Sequence, residues 1–157
     1  VNYLVDECFR AEVEKYHWSL HASSGRWIAR RGECRGVRLH QYVWRLSGRP
    51  LPSGELSIDH INRDPSDNRL ENLRLATARL QTLNRQMPRR VAELPCGVSL
   101  DSRRPKAPYR AKIRFDGGVR HLGYFATPEE ASAAYEAELA RQIEIEEARV
   151  QEILNVH

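Results

Sequence analysis

Residues 57–75 read SIDHINRDPSDNRLENLRL. The stretch sets an Asp-His pair at the end of a strand-like run, and twelve residues later brings Asn72. ELSID has strand length, NRDPSDNRLEN is rich in turn formers, and LRLA is a second strand-length run. Thr77 suits the N-cap of a helix running to about Met87, which Pro88 stops. Residues 56–87 therefore spell strand, loop, strand, helix.

That order matters for the chemistry the residues can do. Histidine is the side chain whose ordinary pKa, about 6.5, lets it take a proton from water near neutrality. A neighbouring carboxylate can hold a hard divalent cation through oxygen. Neighbours on a strand face opposite ways, so Asp59 and His60 can serve one site only where the strand bends or ends. The turn-rich loop after His60 allows that. Asn72, on the returning strand, can hydrogen-bond the His60 segment and fix the tautomer and angle of the imidazole. Gln81 and Asn84 are three apart on the following helix and can offer further oxygen ligands from one side.

Upstream, residues 1–16 suggest at most a short helix. HWSLHASSGRWIARRG reads as two short strands joined at Ser23-Ser24-Gly25, and VRLHQYVWRLSGRPLP as a helix with Leu39, Val43 and Leu46 on one face. Gly48 and Pro50 end it. Trp18, Trp27 and Trp44 read as core residues, and His40 as a structural residue of the helix or a phosphate contact. Asp67, Asn68 and Arg69 read as loop stabilisers, because Asx side chains favour turns. Downstream, GVSLD, YRAKIRF and RHLGYF are three strand-length runs, the last two joined as a hairpin at Asp116-Gly117-Gly118. A long helix follows from Pro128, capped by Thr127 with Glu130 three residues on.

Composition narrows the function classes. The chain has 157 residues and a net charge of +4. From Glu129 onward eight Glu oppose Arg141 and Arg149, a balance of −6, so the rest of the chain carries +10. A segregated basic body suits a polyanionic partner, although a basic solvated surface would give the same balance. Three cysteines, Cys8, Cys34 and Cys96, lie 26 and 62 residues apart with no C-x-x-C pair. Neither a disulfide framework nor a structural zinc site is expected, and a reducing, cytoplasmic setting is. No apolar run approaches the roughly 20 residues that span a bilayer, and residues 1–15 are too charged for a signal peptide, so no membrane partner is expected.

The segment from LHQYVW to LNRQ, about residues 16–87 with its flank, resembles the HNH endonuclease family, especially the phage-type homing and nicking enzymes with a ββα-metal core. The carrying pattern is IDHIN…DNR.ENLRLAT with LH upstream. The resemblance implies Asp59 as a metal ligand, His60 as general base, Asn72 as the residue orienting it, and magnesium or manganese as cofactor. Gln81 stands where the family usually has an Asn as second ligand; Asn84 also matches a common Asn and can substitute. The exchange admits reduced or lost activity, natural variation, or deliberate inactivation.

Residues 96–140 resemble the ethylene-response-factor (Apetala-type) DNA-binding domain, through GV, the aromatic before RAKIRF, LGYF and TPEEASAAY. Such domains accompany HNH modules in phage homing endonucleases. In YRAKIRF, Arg110, Lys112 and Arg114 alternate with Ala111, Ile113 and Phe115, giving a basic and an apolar face. The resemblance places Lys112, Arg114 and His121 at DNA-contact positions, while Ser99 departs from a position often held by Arg. Arg103, Arg104 and Lys106 form a basic loop suited to phosphate.

The expected fold class is α+β: small N-terminal strands and a ββα-metal core over 1–87, a linker at 88–95, and a three-stranded antiparallel sheet packed on a long C-terminal helix over 96–157. The expected function is a metal-dependent DNA endonuclease, phage-encoded or from a bacterial host, leaving 5′-phosphate and 3′-hydroxyl ends on double-stranded DNA. The alternative is a DNA-binding regulator that does not cleave. A protein-interaction module built on the acidic C-terminal helix is a third reading. Leu139, Ile143, Val150 and Leu154 form a stripe on that helix that offers a homodimer contact.

Overall fold

The computed structural model describes residues 3–21, 26–29, 36–85, 94–115 and 118–155. It is α+β and divides into two compact units, Val1–Gln81 and Thr82–His157.

The first unit opens with α1 (Glu7–Val13), followed by the antiparallel pair β1 (Trp18–His21) and β2 (Arg26–Ala29) and by α2 (Leu39–Leu46). Trp18 is buried and its indole donates to Val13 O at 2.8 Å, so the apolar ring is covered while its one polar atom stays satisfied. Tyr42 of α2 lies against both Tyr16 and Trp18, with ring centroids 5.5 and 5.7 Å away. Leu39 and Val43, one helical turn apart, are fully buried, and Trp44 donates to Pro50 O at 2.8 Å. Gly48 ends the helix at φ 70°, a conformation that side chains resist. The side chain of Trp27 and the turn at residues 22–25 lie outside the described residues.

Next come β3 (Ser57–His60) and β4 (Leu73–Ala76), antiparallel with Asp59 opposite Arg74 and His60 opposite Leu73. The helix α3 (Ala78–Arg85) follows at once. Thr77 caps it as expected, accepting from Leu80 N at 3.1 Å. Leu73, Leu75, Ala76 and Leu80 are buried, so β4 and the start of α3 contribute apolar residues to the interior. That strand–loop–strand–helix order agrees with the sequence pattern.

The division between the two units falls inside α3, between Gln81 and Thr82. The reason is Leu83, which joins Ile113, Tyr135 and Leu139 in the second core. Most of the expected linker lies outside the described residues.

The second unit is the sheet β5–β6–β7, formed by Val98–Leu100, Tyr109–Phe115 and Gly118–Phe125, with the helix α4 (Pro128–Asn155) across one face. Thr127 Oγ1 accepts from Glu130 N at 3.2 Å, and the Glu130 carboxylate accepts in turn from Ala126 N at 3.1 Å. Ala131, Tyr135 and Leu139 are buried, and Cys96, Leu122 and Ile143 surround them. Each large side chain in such a core contributes about 1.5–3 kcal/mol through burial. Asp116 and Gly117, which join β6 to β7, lie outside the described residues.

Leu139 and Val150 are 1% and 3% exposed within the single chain. Ile143 packs on the second core. Leu154, the last residue of the stripe, is half-buried. No described helix is long and apolar enough to cross a membrane.

Candidate functional site

The strand β3 ends at His60, and the chain turns immediately, with Arg63 at φ 67°. Ending the strand there gives Asp59 and His60 the freedom of direction that two adjacent residues need. Around them the twelve residues of the loop close on themselves. Ile61 N donates to Asn72 O at 2.9 Å, and Asn62 N to Asn72 Oδ1 at 2.9 Å. Asn72 Nδ2 donates to Asn62 Oδ1 and to Asp67 O, at 2.9 and 2.7 Å. Asn72 therefore clamps the base of the loop from a buried position.

The imidazole itself meets another asparagine. His60 Nε2 lies 3.2 Å from Asn68 Oδ1, and Asn68 is fully buried. The sequence pattern points to Asn72 for the orienting role and to Asn68 for loop stabilisation. The structure gives Asn72 to the segment after His60, and Asn68 to both the loop and the ring. On α2, His40 is buried, and its ring stands edge-on to that of His60 with centroids 5.1 Å apart. His40 thus borders the site from the helix side.

Asp67 and Arg69 stiffen the loop through a bidentate pair, both bonds 2.8 Å. Hydrogen bonds from Arg69 hold the Asp67 carboxyl below its ordinary range. The N-terminal segment straps the same loop. Leu4 N donates to Ser66 O at 2.7 Å, Asn68 N to Leu4 O at 2.8 Å, and Leu70 N to Asp6 Oδ2 at 2.8 Å. Nothing in residues 1–16 signalled this strap, because its partners lie more than sixty positions away.

The residues proposed to hold a metal ion meet in part. Asp59 is partly buried, with Arg74 Nη2 3.5 Å from its Oδ2 across the hairpin. Gln81 Nε2 donates to Ser57 Oγ at 2.5 Å. Ser57 and Asp59 are two apart on β3 and share a face, so the Gln81 amide sits on the Asp59 side of the strand. With Nε2 committed to Ser57, the amide oxygen is the end of Gln81 turned from that bond. A carboxylate and an amide oxygen are a donor set that fits a hard divalent cation. Asn84 is buried and belongs to the second unit. Among the described residues no group of three or more His, Cys, Asp or Glu side chains is placed to hold a metal ion.

In the second unit, cross-strand pairing decides which residues share a face. Arg110 pairs with Ser99 and Tyr124, Lys112 with His121, and Arg114 with Val119. A register shift between Ala111 and Lys112 inserts one residue into β7, where Gly123 takes φ 143°. The shift resets the alternation: Leu122 packs in the core, and Tyr124 joins the basic face. Lys112, Arg114 and His121 are exposed there, and the His121 and Tyr124 rings are 4.8 Å apart.

The loop 101–108 completes the face. The Arg104 guanidinium stacks over Tyr124 at 4.1 Å. Arg103 is 84% exposed but pairs with Asp101, whose carboxyl its hydrogen bonds pull down to about 2. Lys106 is exposed. Arg110 is half-buried, with Nε 3.4 Å from Ser99 Oγ. Arg120, by contrast, faces α4 and pairs with Glu138 at 2.7 Å. Sequence alternation found the basic face on β6; Arg104 over Tyr124 required the bulge, which has no sequence signature beyond Gly123.

Residues 37–82 match the family described as HNH endonuclease, a segment that holds α2, β3, the closed loop, β4 and the first half of α3. The match supports a nuclease of the HNH type, enzymes that use a divalent metal ion, with DNA as the substrate. No curated protein and no solved structure matches the chain.

Proposed function

We propose that the chain is a metal-dependent DNA endonuclease of the phage homing or nicking type, and that His60 is its general base. The observation that carries this reading is the corner itself: Asp59 and His60 end β3, inside the matched segment, with Gln81 on the Asp59 face. A magnesium or manganese ion held by Asp59 and an amide oxygen from Gln81 would neutralise charge on the scissile phosphate. His60 takes a proton from the attacking water. The new P–O bond forms as the P–O3′ bond breaks, and the departing O3′ takes a proton from solvent. The products carry 5′-phosphate and 3′-hydroxyl ends.

The second unit supplies affinity and target choice through Arg104, Lys106, Arg110, Lys112, Arg114 and His121, with Arg103 adding an exposed guanidinium. One such site handles one strand, so a single chain nicks its duplex. Incubating supercoiled plasmid with magnesium or manganese tests the reading. Relaxed circles that disappear in His60→Ala support it, and cleavage that survives His60→Ala removes it.

A second reading is a DNA-binding regulator without cleavage. Its support is Gln81, already bonded to Ser57. Metal-independent binding with no cut at any metal concentration would favour it.

A further inference from the structure

We propose that Asn68 is the positioning residue of His60: its side-chain oxygen accepts the Nε2 proton, fixes that tautomer, and so places the basic lone pair on Nδ1. The inference rests on the nuclease reading for its consequence, and on geometry alone for its content.

Asn68 Nδ2 donates to Pro65 O at 3.2 Å and to Ser66 O at 3.1 Å. Carbonyl oxygens only accept, so these two bonds settle which end of the amide is nitrogen. Oδ1 must then be the atom that meets His60 Nε2 at 3.2 Å. An amide oxygen cannot donate, so Nε2 carries the proton. In the neutral ring the lone pair is then on Nδ1.

The amide is held firmly enough to impose this. Ser66 O accepts from both Asn68 Nδ2 and Leu4 N, while Asn68 N donates to Leu4 O at 2.8 Å. Asn68 is thus pinned at its backbone and at its side chain, in a position fully shielded from solvent. Flipping the amide would leave a buried NH2 facing a ring nitrogen and its oxygen facing two carbonyls, which costs several hydrogen bonds at once. The edge-on His40 ring borders the imidazole from α2. Asn72 has all three of its side-chain bonds inside the loop. It sets where the loop is, and Asn68 sets which nitrogen of His60 is basic.

The experiment reads the tautomer directly. Uniformly 15N-labelled full-length chain, without added metal and at a pH where the imidazole is neutral, gives separate Nδ1 and Nε2 shifts for His60. The expected result is Nε2–H in the parent chain, a mixed tautomer in Asn68→Ala, and retained Nε2–H in Asn68→Asp, which keeps an acceptor while losing both amide donors. In plasmid cleavage Asn68→Ala should lower kcat on the order of a hundredfold with KM for DNA little changed, and Asn68→Asp should recover part of it. A parent ring that is Nδ1–H, or a tautomer unmoved in Asn68→Ala, overturns the proposal, as does equal loss in both variants. If no metal supports cleavage but the Nε2–H ring depends on Asn68, the nuclease reading falls and the assignment of Asn68 stands.

Discussion

Gln81 Nε2 and Ser57 Oγ are 2.5 Å apart, so the helix carrying Gln81 is tied to the strand two residues before Asp59. The bond holds the Gln81 amide beside Ser57, on the strand face that Ser57 shares with Asp59, where a family asparagine would be one methylene shorter. If the amide oxygen ligates, Gln81→Ala should raise the magnesium concentration for half-maximal cleavage by on the order of tenfold or more. Gln81→Asn should lower it or leave it unchanged. Metal titrations of the cleavage rate decide this, and an unaltered midpoint in Gln81→Ala would exclude Gln81 as a ligand. Ser57→Ala serves as a control, because it frees the helix tie without removing an oxygen from Gln81.

Asn72→Ala removes three side-chain hydrogen bonds from a buried clamp and strips Asn62 N and Asp67 O of the partners that Asn72 gives them. Each such bond is worth about 0.5–1.5 kcal/mol net, so the loop should lose roughly 2–4 kcal/mol. Amide hydrogen exchange is the suitable probe, with Ile61 and Asn62 losing protection ahead of the second unit's sheet. Undiminished protection at both positions would mean the loop closes without the clamp.

Acid should loosen the same loop through Asp67. Arg69 lowers the folded pKa of Asp67 from its ordinary 3.8, so the pair stabilises the fold fully above that value. The contribution is lost as the pH falls through the depressed folded value. Asp101, depressed to about 2 by Arg103, follows the same sign in the second unit. Carboxyl 13C titrations should give both midpoints below those of exposed aspartates, and Arg69→Ala should move Asp67 upward without touching Asp101. A simultaneous shift of both would show that the effect is not the local pair.

Local punctuation made much of this molecule legible. Thr77, Thr127 and the Asp-Pro-Ser-Asp loop carry their structural consequences in their own side chains, and they end and start elements where the sequence says. The alternation in residues 109–115 fixed the basic face of β6 for the same reason. What escaped depends on partners far along the chain. Leu4 joins the loop only because Ser66 and Asn68 present backbone groups to it. Leu83 belongs to the second core because Ile113, Tyr135 and Leu139 are there to receive it. Asn68 and Asn72 are alike as residue types, and only the closed loop tells which one meets the ring.

Gly97 adopts φ 76°, and a Cβ built there would lie 2.2 Å from Tyr135 Cδ2 and 2.8 Å from Lys112 O. The neighbours are a buried ring and a backbone oxygen, neither able to retreat cheaply. Gly97→Ala should therefore destabilise the second unit by about 1–3 kcal/mol, through both overpacking and a disfavoured backbone. Urea denaturation followed by Tyr135 exposure checks it. A midpoint equal to the parent's would mean that the helix and β5 shift apart freely.

The exposed face of the sheet makes the sharpest contrast, because two arginines and a lysine on neighbouring strands point opposite ways. Lys112 and Arg114 stand on the open face, whereas Arg120 commits its charge to Glu138 at 2.7 Å. Removing a side chain that neutralises one phosphate should reduce the slope of log affinity against log salt by about 0.9. Lys112→Ala and Arg114→Ala should each show that decrease along with weaker binding, and together they should add. Arg120→Ala should leave the slope alone and act on stability through α4. Fluorescence anisotropy on duplex DNA across a salt series measures all three. If Arg120→Ala changes the slope as much as Lys112→Ala does, the protein meets DNA by diffuse positive charge, and the open face of the sheet is not the docking surface.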